Sequence, residues 1–486
     1  MAQETSEHAA NAAAETAGAA AELAEHAVHH EPSMTVTLVF TAILLGMILT
    51  LAFEERLHAK KSIITGVYAV LALAFGHLLD VLPFGPVVNV FGESLELPVY
   101  IQGIDWGVIA IILGSSLFVD VTSKSGLFTW IAIKMTKASR GDPLLLLGAY
   151  GLLTVVFSAL LNNVTAMIII GSLTAVSLEK LEQREKLLGF LLIEGLLTNI
   201  GGLLTLISSV PNIIVGQAAG ISFVAFFIKA APYVFVATLL TLWLGAKKYG
   251  IGRLKTDEEK ESAAELVSSF DERDGIESKG FFWFAAAMLV AFICGIAMTS
   301  VLEYPLGMGF VAMAFGIVML LRYKATADRF YRALDWDLLL FFAFLFIVIN
   351  VMEHAAVLHL IGDGLKVVID LNEATDGLGT GATLVSAAGF SAVTDNIPLA
   401  AMLAKILQGM EPLSDGRLWW SVIFGANLGG NLTPIGSAST VVAVTLMHKY
   451  ELKMGFAQFV KAALGFAIAQ IILATLYVLF VVPLLP

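Results

Sequence analysis

Apolar and polar positions alternate along this chain in long blocks rather than in short periods. Predominantly apolar stretches occupy 34–53, 62–82, 104–121, 143–180, 187–220, 229–246, 280–298, 306–321, 336–352, 380–408, 417–445 and 458–484. Most reach the roughly 18 residues that a helix needs to cross a ~30 Å hydrocarbon core. A membrane β-barrel would instead show ~10-residue segments of alternating hydrophobicity, and none is present. The pattern predicts an all-α polytopic membrane protein.

Four of these stretches are interrupted by polar residues. Asn162-Asn163 breaks the fourth, and Thr394-Asp395-Asn396 breaks the tenth. Ser208-Ser209-Val210-Pro211-Asn212 and Thr433-Pro434-Ile435-Gly436-Ser437 break 187–220 and 417–445. Non-helical backbone at membrane depth persists only where protein buries it or where it lines a wet cavity. Reading 143–180 and 380–408 as re-entrant hairpins leaves ten crossings. With the N-terminus outside, 24 Lys and Arg then fall on the inner side and 4 on the outer. That inward bias supports both the orientation and the hairpins. The expected location is therefore an inner membrane, multi-pass, with both termini outside the cytoplasm.

The two halves echo each other. Ile104-Asp105-Trp106 matches Leu334-Asp335-Trp336, and Ser158-Ala159-Leu160-Leu161-Asn162-Asn163 matches Ser391-Ala392-Val393-Thr394-Asp395-Asn396. Asn199-Ile200-Gly201-Gly202 through Thr205 matches Asn427-Leu428-Gly429-Gly430 through Thr433. Five crossings per half, an odd number, invert the second half relative to the first. The expected organisation is a low-complexity tail (1–33), repeat 1 (34–246), a cytoplasmic linker (247–279) and repeat 2 (280–486).

Composition adds little to this picture. The net charge of −12 comes largely from the tail and the linker, and no basic cluster interleaved with aromatics suggests nucleic acid. A single cysteine, Cys294, excludes a disulfide framework and a cysteine metal site. The tail has no basic n-region and no apolar core, so it does not read as a signal peptide. Its His26, His29 and His30 read as part of a solvated segment rather than as metal ligands. There is no His-Glu-x-x-His, nucleophile elbow or Walker A sequence, so nothing points to an enzyme or to direct use of ATP.

Inverted repeats with interrupted helices mark secondary transporters, and the interruptions mark the binding site. In the first half they supply Asn162, Asn163, Thr165, Asn199, Thr205, Ser208, Ser209 and Asn212. In the second half they supply Asp395, Asn396, Asn427, Thr433, Ser437, Ser439 and Thr440. Gly201 and Gly429 permit close backbone approach. Carbonyl, amide and hydroxyl oxygens suit Na⁺, whereas half-helix N-termini suit anions. Asp395 is the sole acid at the interruptions and is the expected proton-coupling group, since a carboxylate at that depth is costly to keep. Glu194, within the apolar run before Asn199, is the second candidate. Asp105, Asp335 and Asp337 begin helices and read as caps.

These motifs resemble a known group. Ser158 to Thr165 and Thr198 to Gly202, followed by Pro211-Asn212, resemble stretches of the melanosomal P protein family. Gly425 to Ser437 resembles both that family and the arsenite pump ArsB. The wider group is the ion transporter superfamily, with NhaD-type sodium/proton antiporters and a citrate-transporter-like domain. The resemblance covers about 34–484 and implies a scaffold and a transport domain, usually a homodimer, working as an elevator. Two departures stand out: Asn162 replaces the usual Asp, and Ser208-Ser209 replaces an acid. The Ser-Asn-Thr signature of dicarboxylate symporters is absent, so a dicarboxylate is not the expected substrate. The expected function is proton-coupled antiport of Na⁺ or a similar small ion, with Na⁺ as the candidate bound ion and no organic cofactor. The alternative is efflux of arsenite or another small anion; a passive channel ranks below both.

Overall fold

The computed structural model describes residues 32–82, 87–88, 94–273, 275–302, 306–369, 378–393, 396–410 and 416–485. The tail histidines, Thr394 and Asp395 lie outside the described residues. Omitting single-turn pieces, the first half contributes α1 (Met34–Ala52), α2 (Lys61–Leu78), α3 (Trp106–Ser123), α4 (Leu127–Ala138), α5 (Pro143–Leu160), α6 (Asn163–Lys180), α7 (Leu187–Gly201), α8 (Val210–Ala218) and α9 (Phe223–Lys248). The linker carries α10 (Asp257–Ser268). The second half contributes α11 (Lys279–Val301), α12 (Gly307–Leu320), α13 (Trp336–His354), α14 (Val357–Ile369), α15 (Leu378–Ser391), α16 (Asn396–Gly409), α17 (Arg417–Gly429), α18 (Ala438–Lys449) and α19 (Phe456–Phe480). The only strand pairing among the described residues joins Val87–Val88 to Ser94–Leu95. The protein is all-α.

Among the described residues, eight helical stretches are long and apolar enough to cross a membrane: α1, α2, α3, α5, α9, α11, α13 and α19 with its single-turn extension. The members of α7–α8 and α17–α18 are each too short to do so alone, as their interruptions predict. α5 is one arm of the first hairpin, yet it is long enough to cross by itself.

The chain forms two compact units, each drawing on both halves of the sequence. One comprises Met1–Asp105 with Leu340–Leu360, and the other Trp106–Leu339 with Ile361–Pro486. Within the first unit, Gly46 faces the Tyr68 ring, and the Tyr68 hydroxyl lies 2.9 Å from Thr50 Oγ1. Gly66 makes room for Phe344 in the same way. Within the second unit, α3 and α12 meet through small residues. A Cβ on Gly114 would collide with the backbone of Ala312 and Met313, and one on Gly316 would lie 2.8 Å from the Gly114 carbonyl. Apolar lipid offers no hydrophobic drive between helices, so such close approach is what dispersion requires.

Besides the linker helix α10, two helices fall where the apolar pattern predicts connections: α4 and α14. Lys134 and Lys137 lower the apolar content of α4, but Leu127, Phe128, Ala132, Ile133 and Thr136 recur at helical spacing and are buried. The linker packs against this corner. Ala263, Val267 and Phe270 are buried, Glu272 pairs with Lys134 at 2.8 Å and Lys137 at 3.4 Å, and Lys180 sits over the Phe270 ring.

Candidate functional site

The first hairpin is built by its caps. Asp142 Oδ1 accepts from the amides of Leu144 and Leu145, opening α5 with Pro143 in its first turn. The chain turns in an extended step at Leu161. Asn162 then opens α6, its Oδ1 accepting from Thr165 N at 2.7 Å. Asn162 is exposed and spends its acceptor on its own helix, so it and Thr165 form the hairpin tip rather than part of the buried network.

Each hairpin is bolted to an interrupted helix by the same two bonds. Ser158 Oγ lies 2.6 Å from the Thr198 carbonyl, and Ser391 Oγ lies 2.6 Å from the Ala426 carbonyl. Thr205 Oγ1 donates to the Ala159 carbonyl at 2.7 Å, and Thr433 Oγ1 to the Ala392 carbonyl at 2.6 Å. These are the positions that the two motifs match. The glycine pairs are also used alike, for close backbone approach. A Cβ on Gly201 would lie 2.6 Å from the Val155 carbonyl, and one on Gly429 would strike the Ala388 carbonyl. Gly201 and Gly429 therefore seat a hairpin arm against an interrupted helix. The following glycines face the polar groups: Gly202 abuts the Asn163 amide, and Gly430 lies against Ser437 and Asn199.

The two interruptions then bond to each other. Asn199 Nδ2 donates to Ser437 Oγ at 2.9 Å, and Ser209 Oγ donates to Asn427 Oδ1 at 2.7 Å, again at matching positions. Asn427 Nδ2 donates to Asn212 Oδ1 at 2.8 Å. Asn199 also reaches Asn431 Oδ1 at 2.8 Å, Ser439 Oγ at 3.2 Å and, at 3.4 Å, Asn163. Ser208 Oγ and Asn212 Nδ2 close the first break onto the carbonyls of Gly202 and Thr205. Ser437 Oγ accepts from Thr440 N at 3.3 Å, capping α18. Asn199, Asn212, Asn427 and Asn431 are all 0% exposed, so each amide must find its partners inside the protein. Leaving one such group unsatisfied costs about 1–3 kcal/mol. Asn396 begins α16 and is buried.

Several members escape the sequence reading. Asn431 stands inside the second motif, where the first half has Leu203. Its Nδ2 donates to Gln470 Oε1 at 2.8 Å, and Gln470 Nε2 donates to Thr241 Oγ1 at 2.9 Å. The one available signal was a Gln in the middle of the apolar run of α19. Among the described residues, no Lys, Arg or His side chain donates into this network.

Glu194 lies one turn below Asn199 on α7 and is 0% exposed. Thr174 Oγ1 donates to its Oε1 at 2.6 Å, while Oε2 has no hydrogen-bond partner among the described residues. At the matching positions the second half has Val422 and Leu407, both buried. The same helix pair is thus built there without an acid or a hydroxyl. The capping expectation holds for Asp335, whose Oδ1 accepts from Leu338 N at 3.0 Å.

Known proteins resemble this chain in sequence and in fold. The sequence profile described as "Citrate transporter" matches residues 48–423. An uncharacterized transporter of Mycobacterium tuberculosis is 29% identical over 395 residues, covering 77% of this chain and 86% of that protein. The human P protein is 24% identical over 493 residues, covering 85% of this chain and 58% of that longer protein. Among solved structures, MtrF of Neisseria gonorrhoeae, described as one of a class of antimetabolite efflux pumps, superposes with a TM-score of 0.52. It is 14% identical, and the match covers 88% of this chain and 96% of MtrF. The YdaH transporter of Alcanivorax borkumensis gives a TM-score of 0.51 at 13% identity, covering 86% of this chain and 98% of YdaH.

Proposed function

Because the chain belongs to the citrate transporter family of membrane transporters, we propose that it is a secondary active transporter exchanging a small ion, Na⁺ or one like it, for protons. The observation that carries this reading is the buried network of Asn199, Ser209, Asn212, Asn427 and Ser437, to which both interruptions contribute. Interrupted helices at matched positions are how secondary transporters build a mid-membrane site. The network is close-packed, and its groups are neutral amides and hydroxyls, which suit a small cation. A tricarboxylate such as citrate calls for charged donors, and among the described residues none enters the network.

Two carboxylates are proposed to carry the proton. Asp395 belongs to the tip of the second hairpin by sequence, where the first hairpin has Asn162. Glu194 adjoins the network from below. Opposing this reading is efflux of arsenite or another small anion, favoured by the absence of acids at Asn162 and Ser208-Ser209. The scaffold-and-transport-domain division, the homodimer and the elevator motion implied by the family resemblance complete the proposal. The hairpins and interrupted helices all belong to the second compact unit. Both termini are proposed to lie outside the cytoplasm and the linker inside.

The deciding measurement is counter-transport in proteoliposomes with a trapped pH dye, offering Na⁺, Li⁺, K⁺, arsenite, chloride and citrate in turn. Na⁺-dependent proton flux is expected, and it should be abolished in Asp395→Asn or Glu194→Gln. Proton flux driven by arsenite or citrate, with none driven by Na⁺, would replace this reading.

A further inference from the structure

From Glu194 a string of hydroxyls runs through the first hairpin toward the linker. Thr174 Oγ1 donates to Glu194 Oε1 at 2.6 Å. Ser177 is three residues further along α6, on the same face. Its Oγ lies 2.6 Å from the Tyr150 hydroxyl, which lies 2.6 Å from Thr136 Oγ1 on α4. All of these hydroxyls are buried. Beyond the string, Ser139 Oγ donates to the Thr136 carbonyl and accepts from Gly141 N, and the Gly141 carbonyl accepts from Gln183 Nε2 at 3.2 Å. Gln183 Oε1, like Glu194 Oε2 at the other end, is a buried acceptor without a hydrogen-bond partner among the described residues. Such atoms mark where water enters a protein interior.

Architecture does not demand this string. At the matching positions the second half has Thr383 for Tyr150, Leu407 for Thr174, Met410 for Ser177 and Val422 for Glu194. Thr383 turns its hydroxyl back on its own helix, donating to the Gly379 carbonyl at 2.8 Å. One hairpin thus packs with a hydroxyl string, and its counterpart packs without one.

We propose that Thr136, Tyr150 and Ser177 form the path by which protons reach Glu194 from the linker face, while Thr174 holds the other carboxyl oxygen. This inference rests on Glu194 being a proton carrier. Each hydroxyl accepts a proton on a lone pair and releases its own to the next oxygen, so one proton passes and no charge stays behind. A water accepting from Ser177 and donating to Glu194 Oε2 would complete the step to the carboxyl, and a second water at the linker face would supply Thr136 with the proton it passes on. No charged side chain of α5, α6, α9, α17 or α18 pairs with Glu194 among the described residues, and Tyr150 is the titratable group whose field it shares. At the outer end, Arg140 and Asp142 flank Gly141, Glu182 and Arg184 flank Gln183, and Lys134 and Lys137 pair with Glu272.

The test needs only protons as ligand. Infrared difference spectra of the full-length protein after a pH jump follow the Glu194 carboxyl, its bands assigned by their loss in Glu194→Gln. Tyr150→Phe keeps the ring and removes the link. Ser177→Ala breaks the string on the other side of Tyr150. Both should reach the wild-type end point at least about tenfold more slowly, while Thr383→Val keeps the wild-type rate. If Glu194 titrates and both relay variants keep that rate, the path is refuted and the carrier role stands. If Glu194 does not change protonation in the wild type, the carrier role and the path fall together.

Discussion

The two interrupted-helix regions of this protein are alike in their bolts and unlike in their cargo of polar groups. Ser158 and Ser391, Thr205 and Thr433, and Gly201 and Gly429 hold hairpin to break in the same way, and Asn199 and Asn427 each join one break to the other. Against that background, three differences stand out. Glu194 and Thr174 face Val422 and Leu407, Tyr150 faces Thr383, and Leu203 faces Asn431. Shared features are what the fold needs. The differences are where a transporter of this design can store its specificity, because the other half proves that the fold survives without them.

The comparison breaks most visibly at the glycines. Gly201→Ala and Gly429→Ala each force a hairpin arm away from its helix, an overpacking that costs about 1–3 kcal/mol or more. Both should lower the thermal midpoint by several degrees in a detergent melting assay, and to a similar extent. A harmless substitution at either would show that the two seams are not equivalent. Next come the amides. Asn199→Ala strands Asn431 Oδ1 and takes one partner from Ser437 and Ser439, whereas Asn427→Ala takes one partner from Ser209 and Asn212. Each is expected to cost about 1–3 kcal/mol and to abolish uptake in the proteoliposome assay. Loss of transport in only one would assign the site to one half. A smaller effect sharpens the matched bolts: Thr205→Val and Thr433→Val each remove one hydrogen bond across helices, worth about 0.6–2 kcal/mol. Their midpoints should fall equally, and the double variant should fall by the sum.

The smallest effect lies outside both regions and serves as their control. The Lys134 ammonium, hydrogen-bonded to Glu272, holds that carboxyl below the usual carboxylate range, and Lys137 assists. A depressed carboxyl stabilises the docked linker above its unfolded pKa and loses that contribution as pH falls through its folded one. Amide protection in 257–268, taken relative to the intrinsic exchange rate at each pH, should therefore fall below the ordinary carboxylate range, and Glu272→Gln should remove that pH dependence of protection. Because the pair is solvent-exposed and screened by salt, the change should be modest and should shrink at high ionic strength. Protection insensitive to pH would mean that the buried Ala263, Val267 and Phe270 alone hold the linker.

Much of this was legible in the sequence. Apolar block length gave most of the long helices, and polar residues inside those blocks gave the first hairpin turn and both interruptions to within a few residues. α4 and α14 were not legible, because amphipathic helices alternate on a period that block length does not register. The site was legible as a set of residues but not as a set of partners. Asn162 has the same side chain as Asn199, yet it caps a helix at an exposed tip while Asn199 joins the two halves. Gly201 and Gly202 are indistinguishable by type, and only the backbone beside each shows which one faces the network. Gln470 and Thr241 belong to apolar helices far along the chain, and nothing local to them reveals that Asn431 will need a partner.

The bonds from Asn199 to Ser437 and from Ser209 to Asn427 span 238 and 218 residues, and that separation bears on how the protein is made. When the linker leaves the ribosome, the first half has been delivered to the bilayer with Asn199 and Ser209 still waiting for partners that do not yet exist. In hydrocarbon, an amide without a partner is a reason for a helix to slip, recruit water or be degraded. The first half is therefore expected to be a poor lodger until the second arrives. Expressed alone, neither 1–255 nor 256–486 should accumulate; expressed together as separate chains, they should stabilise each other.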